Sequence, residues 1–303
     1  MSRTYGPGTH FAGPILGSPG AGKGVFAGAP LGSIDHVRSP YKVYVEDFND
    51  AFVDGGLAGA GWTLTDINTA TSPTEVVDPE TGYLLLNPGT KDDSGSQVQK
   101  ILLPSQATYV VSSHDVLGPI TSTATLMDNR EIFFHTRVGP MVATGTTWDG
   151  KALVGWFTTD TSLLATAGGL PTVAAGGGFG FHIGEDGILS YVCSPDAITA
   201  AGTATSIDFS TLTTAATPEW TTLSARMRVV DASASTGQAD FWVNGVHVGT
   251  IANATCMDQT EEFAYSMAIL NGDNSIAHDL AVDSIVTGIT RPGLTYPYSS
   301  GNY

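Results

Sequence analysis

The chain has 303 residues, a formal net charge of −17 and only 14% charged residues. Such an acidic surface repels nucleic-acid phosphate, which argues against DNA or RNA as a partner. No run of about 18 apolar residues is present to span a bilayer, and no apolar core follows an N-terminal basic patch, so the expectation is a protein made in the cytoplasm with neither membrane span nor secretory signal.

Residues 1–40 differ in texture from everything after them. They hold nine glycines and five prolines, and Arg3, Lys23 and Arg38 against Asp35 give them a charge of +2. The remaining chain holds nine basic and 28 acidic residues, a charge of −19. Phe11-Ala12-Gly13-Pro14-Ile15-Leu16-Gly17-Ser18 recurs as Phe26-Ala27-Gly28-Ala29-Pro30-Leu31-Gly32-Ser33. Each copy offers one aromatic and one aliphatic anchor, Phe11 with Leu16 and Phe26 with Leu31, on a segment too poor in apolar surface to build its own core. The pattern predicts an extended arm whose anchors dock on another surface, because exposed Phe and Leu are otherwise a liability.

The arm also contains Gly17-Ser18-Pro19-Gly20-Ala21-Gly22-Lys23-Gly24-Val25, which imitates a phosphate-binding loop. Gly24 and Val25 stand where a hydroxyl would reach Mg2+, and Gly28, Pro30 and Gly32 break the helix that must follow. Nucleotide binding is not expected.

From Tyr41 the pattern turns to strands. Tyr44–Phe48, Gly82–Leu86 and Val98–Leu103 come first. Glu131–Val138 alternates, with Ile132, Phe134 and Val138 on one face and Glu131, His135 and Arg137 on the other. Ala152–Phe157 is more continuously apolar, and Phe179–Ile183 and Ile188–Val192 flank a turn at Gly184–Gly187. Thr222–Val230 points Leu223, Ala225, Met227 and Val229 inward and Ser224, Arg226 and Arg228 outward. The two cysteines, Cys193 and Cys256, are too few for a disulfide framework and read as free buried thiols.

Gly237–Val243 and Val246–Ile251 flank Asn244-Gly245, a strong hairpin signal because both residues accept positive φ in a type I′ turn. That turn sets Val243 opposite Val246, Phe241 opposite Val248 and Trp242 opposite His247. Phe263–Leu270 and Leu280–Val286 follow, and residues 291–303 read as an irregular tail. With no convincing amphipathic helix, residues 41–290 form one all-β, two-sheet antiparallel sandwich.

The Phe-Trp-Val, Asn-Gly, Val-His-Val hairpin resembles the late hairpin of concanavalin A-like lectin/glucanase (LamG-like) jelly rolls. Tyr44-Val45-Glu46-Asp47-Phe48, Glu219-Trp220-Thr221-Thr222-Leu223 and Leu280-Ala281-Val282-Asp283-Ser284-Ile285-Val286 fit the same resemblance. It implies a concanavalin A-like antiparallel jelly roll whose first and last strands lie close together. It also implies a structural Ca2+ where those strands meet, with Asp47 and Asp283 as the matching carboxylates. Sugar binding is a further implication, with Trp62 and Trp148 as stacking residues unless they belong to the core.

Glucanases of that resemblance carry paired carboxylates in a Glu-x-Asp-x-x-Glu or similar arrangement, where alternation puts residues i and i+2 on one face. This sequence has no such spacing: Glu131 lacks the following acid, Glu185-Asp186 sits in a turn, and Asp258, Glu261 and Glu262 form a loop cluster. It also lacks a Gly-x-Ser-x-Gly elbow and any His-x-x-x-His pair. The expectation is a protein without catalysis and without a cofactor other than the implied Ca2+.

Arm, sandwich and acidic body together are similar in organisation to bacteriophage capsid decoration or cement proteins. That likeness implies a virion structural protein on the capsid surface, fastened by its arm to the major capsid protein and in contact with copies of itself. The alternative is a lectin-like fibre or host-adhesion protein that binds glycan.

Overall fold

The structure is a computed structural model that describes residues 41–46, 48, 61–67, 74–78, 83–103, 131–142, 147–160, 162–164, 177–194, 202–210, 218–231, 236–252, 262–272, 276 and 278–290. Fifteen strands lie among them: β1 Tyr41–Glu46, β2 Thr63–Ile67, β3 Thr74–Asp78, β4 Tyr83–Asn87, β5 Gly95–Leu103, β6 Glu131–Val142, β7 Lys151–Thr158 and β8 Gly178–Ile183, then β9 Ile188–Ser194, β10 Thr203–Asp208, β11 Thr221–Asp231, β12 Thr236–Val243, β13 Val246–Ala252, β14 Phe263–Leu270 and β15 His278–Thr290. The described residues contain no helix.

The first sheet runs β13-β12-β11-β6-β15-β4-β3, with β1 also on β15, and the second runs β10-β9-β8-β7-β14-β5-β2. Every pairing is antiparallel. This is the all-β antiparallel jelly-roll sandwich expected. Its first and last strands pair, Tyr41 opposite Thr290 through Glu46 opposite Ile285. The arm, Asp47, Cys256 and the tail lie outside the described residues.

Period-2 alternation builds the space between the sheets. Ile132, Phe134 and Val138 of β6 and Leu223, Ala225 and Met227 of β11 are buried in one core cluster with Trp156, Phe181, Tyr265 and Met267 of the second sheet. Phe134 packs edge-on against Phe181 at 6.2 Å and Tyr265 at 5.7 Å, a favoured aromatic geometry. Each such side chain withdrawn from water contributes about 1.5–3 kcal/mol before ordering costs. One polar chain inside spans the gap between the sheets. Trp156 Nε1 donates to Thr287 Oγ1 at 2.9 Å, and that hydroxyl donates to the Phe133 carbonyl.

The hairpin turn adopts the expected conformation, with φ of 49° at Asn244 and 77° at Gly245. Val243 faces Val246 and Trp242 faces His247, as the turn requires. One pairing departs from expectation: Phe241 faces Gly249, so Val248 is an extra residue in a β-bulge. The cause lies in the other sheet. Tyr191 stacks on Phe241 at 4.7 Å, and a Cβ on residue 249 would sit 2.0 Å from the Tyr191 hydroxyl. Glycine is the side chain that leaves Tyr191 its place.

A second correction concerns the cysteines. Cys193, at the end of β9, is disulfide-bonded and not a free thiol. Cysteine count carries no information on proximity, which the fold supplies.

Candidate functional site

The anchors Phe11, Leu16, Phe26 and Leu31 and the carboxylate of Asp47 lie outside the described residues. Trp62 and Trp148 are each 3% exposed and belong to the core cluster. Trp62 packs against Phe48 with ring centroids 6.2 Å apart, and Trp148 Nε1 donates to the Gly184 carbonyl at 2.8 Å. Neither ring offers a face to a sugar, which corrects the stacking expectation for both. Apolar bulk decided their fate over their loop-like sequence setting. Asp283, the described half of the Ca2+ pair, is bound by Arg137 at 3.0 Å, so a cation already neutralises it. Among the described residues no group of three or more His, Cys, Asp or Glu side chains is placed to hold a metal.

The outer face of the second sheet is closed by the chain itself. Gln97 Oε1 accepts from the Leu163 N–H at 2.8 Å, Gln99 Oε1 accepts from the Asp160 N–H at 3.2 Å, and Gln99 Nε2 donates to Ser266 Oγ at 2.9 Å. These amides seat Leu163 and Leu164 over Ile67, Leu153, Phe157, Val192, Ala268 and Leu270 as a second buried cluster. His182, on the same face, accepts from the Gly202 N–H at 3.3 Å, and burial lowers its pKa to about 4. It is neutral at physiological pH. These polar groups form an internal seam.

The outer face of the first sheet carries a connected set of ionisable groups. One cross-strand row reads His247, Trp242, Ser224, His135, Val286, Val45, and the next reads Thr250, Asp240, Arg226, Phe133, Gly288, Val43. Asp240 is the hub: Thr250 Oγ1 and Gln238 Nε2 donate to its Oδ1 at 2.7 and 2.9 Å, and Arg226 binds Oδ2 at 3.3 Å. Ser224 Oγ and His135 Nδ1 lie 2.7 Å apart, the reach of a nucleophile and its base. Both are buried, and desolvation holds the His135 pKa down at about 4. A base that weak is poorly matched to neutral pH. The pair is a satisfied cross-strand contact.

Further along the same face β15 carries a bulge. Val282 pairs with Val138 and Ser284 with Arg137, so Asp283 is the extra residue. Val282 and Ile285 are both fully buried, while Asp283 and Ser284 between them are half-exposed. Here β15 also changes neighbours on one side, pairing β4 through Val282 and β1 from Ile285. Around the bulge, Arg137 stacks 4.7 Å over the Trp220 ring and Trp220 meets Tyr83 edge-on at 5.7 Å. Of the five tryptophans, Trp220 alone is partly exposed. Sequence reading used Trp220 for fold alone and missed the bulge. A signal was present: the inward residues switch from Leu280 and Val282 to Ile285 and Ile289, a change of phase.

No protein-family model matches this sequence, and no curated protein matches it. Solved structures do. The galactose complex of lectin UEA-II is 9% identical, with a TM-score of 0.44 over 82% of this chain and 99% of that one. The potassium-bound carbohydrate recognition domain of Emp46p is 10% identical, with a TM-score of 0.44 over 75% and 88%. A carbohydrate esterase, vb_24B_21, from the Shiga toxin-encoding bacteriophage phi24B is 14% identical, with a TM-score of 0.42 over 82% and 97%. Similarities this distant carry no argument about the site, and the fold rests on the chain's own strand pairing.

Proposed function

We propose that this chain is a non-enzymatic virion structural protein that decorates or cements a bacteriophage capsid. Residues 1–40 fasten it to the major capsid protein, and copies of itself are further neighbours. The observation that carries this reading is the place where the arm joins the body. Residue 40 leads directly into β1, which among the described strands pairs with β15 alone and presents Val43 and Val45 outward at 41% and 57% exposure. Exposed apolar side chains on the strand that follows residues 1–40 support contact with a second surface. Three acids of the body are ion-paired, Asp283 with Arg137, Glu185 with Lys151 and Asp240 with Arg226, an arrangement that suits a binding surface.

The test compares the full chain with one beginning at Ser39 in co-sedimentation with assembled phage capsids. The shortened chain is expected to fold and stay in the supernatant. Phe11→Ala and Phe26→Ala are each expected to weaken attachment, and together more strongly, because two linked anchors act through effective concentration. Full occupancy by the shortened chain overturns the reading.

A glycan-binding role in a fibre or adhesion protein is the second reading. The half-exposed Trp220 and Tyr83 beside an Arg–Asp pair favour it.

A further inference from the structure

We infer that the outer face of the first sheet, at the β15 bulge, is a binding site for a neutral glycan, built from Tyr83, Arg137, Trp220 and Asp283. The inference rests on the second reading above and names its site. Sugar recognition needs an apolar platform for the C–H face of a pyranose together with donors and acceptors for its hydroxyls. Trp220 and Tyr83 supply the platform, and both are half-exposed. Because the Arg137 guanidinium already covers one face of Trp220, the stacking surface is Tyr83 and the part of Trp220 that solvent reaches.

The ion pair supplies the polar half. It uses Asp283 Oδ2 and one guanidinium nitrogen, which leaves Oδ1 as an acceptor and further N–H donors for hydroxyls. The two side chains remain accessible, at 28% and 45% exposure. A sugar diol meets one donor and one acceptor there. The bulge is what makes the pair: it turns the extra residue, Asp283, to the outer face beside Arg137, and bulges commonly re-aim side chains at sites.

The platform is also pre-organised. The segment carrying Pro218 and Trp220 crosses β6 at Gly139, where a Cβ would sit 2.4 Å from Pro218 Cβ and 3.3 Å from Trp220 Cε3. Gly139 therefore lets the segment lie flat on the sheet and fixes the ring before any ligand arrives. A site whose stacking ring is fixed beforehand loses little entropy on binding.

Charge selects the class. Residues 41–303 carry −19, which repels uronate-rich, sialylated or sulfated chains at physiological salt. The single guanidinium of the site is already neutralised by Asp283. A neutral oligosaccharide meets no such barrier.

The experiment is an array of neutral and acidic oligosaccharides, followed by calorimetry with the best binder. Full-length wild type, Trp220→Ala, Tyr83→Ala and Asp283→Asn are compared, with Val246→Ser as a remote exposed control. Neutral glycans are expected to bind in preference to acidic ones. Trp220→Ala and Tyr83→Ala are expected to weaken binding by roughly three- to tenfold each, and Val246→Ser to leave it unchanged. Asp283→Asn keeps size and shape, so its weaker binding with an unchanged melting temperature excludes misfolding as the cause. If a glycan binds and these variants do not weaken it, the site is wrong while the glycan reading stands. If acidic glycans are preferred, the assigned class is wrong. If no glycan binds wild type, the reading itself fails and the site with it.

Discussion

Arg137 and Asp283 meet at 3.0 Å because β15 carries one more residue than β6 between Val282 and Ser284. The extra residue lets Val282 and Ile285 both point into the core while two consecutive side chains face outward. Stability does not require that ion pair, since half-exposed pairs contribute only about 0–1 kcal/mol. Asp283→Asn is expected to lower unfolding free energy by less than about 1 kcal/mol. Urea denaturation measures this, and a loss of several kcal/mol would make Asp283 a structural residue.

Gly139→Ala is expected to be costly for a residue on a solvent-side face. The new methyl meets Pro218 Cβ at 2.4 Å and Pro218 Cα at 3.2 Å, so the 218–220 segment must lift from the sheet. Overpacking of this kind costs about 1–3 kcal/mol. Trp220 loses its stacking on Arg137 in the process. A red shift in tryptophan emission, absent from a Trp220→Phe, Gly139→Ala double variant, is the expected readout.

The central hairpin separates two kinds of cost. Phe241 is fully buried against Phe181 and Tyr191, so Phe241→Ala should cost about 3–5 kcal/mol through lost burial and a cavity. Gly245 has open space around its Cα but a φ of 77°, so Gly245→Val acts through the backbone alone. Its expected cost is about 1–3 kcal/mol. Chemical denaturation should rank the two in that order, and the reverse order would contradict the assigned turn.

Acid should destabilise the protein between about pH 6.5 and 4. Burial lowers the pKa of His135 and of His182 from 6.5 to about 4, so both fold neutral while the unfolded chain takes up protons first. Their contribution is present above pH 6.5 and is lost as pH falls toward 4, because the unfolded state then binds more protons. His278, also lowered by burial, acts in the same direction. Asp279 opposes them: burial raises its pKa from 3.8 to about 6, so its contribution is present below 3.8 and lost as pH rises through 6. Three histidines against Asp279 and the mostly exposed Asp66, whose pKa burial also raises, leave a net loss on acidification. Denaturation midpoints across this range should fall with pH in wild type and fall less in His135→Gln. A rise on acidification would reverse the assignment.

Residue order alone determined the class of fold, most of the strands and the hairpin turn. Alternation in Glu131–Val138 and Thr222–Val230 and the Asn244-Gly245 turn are local, so a few neighbouring residues carry them. Strands β2, β3 and β10, each at the edge of a sheet, escaped notice: TLTDI and TATSID are mainly exposed and lack an apolar rhythm, and TEVVD is too short to display one. Tertiary structure decided everything that depends on which strands become neighbours. It buried Trp62 and Trp148, left Trp220 at the surface, set Gly249 against Tyr191 and drew Gln97 and Gln99 into holding the chain's own segment. Arg137 and Asp283 lie far apart in the chain, and no local pattern records that β6 and β15 will pair. Their meeting depends on a one-residue offset in that pairing, which is set by the packing of both faces at once.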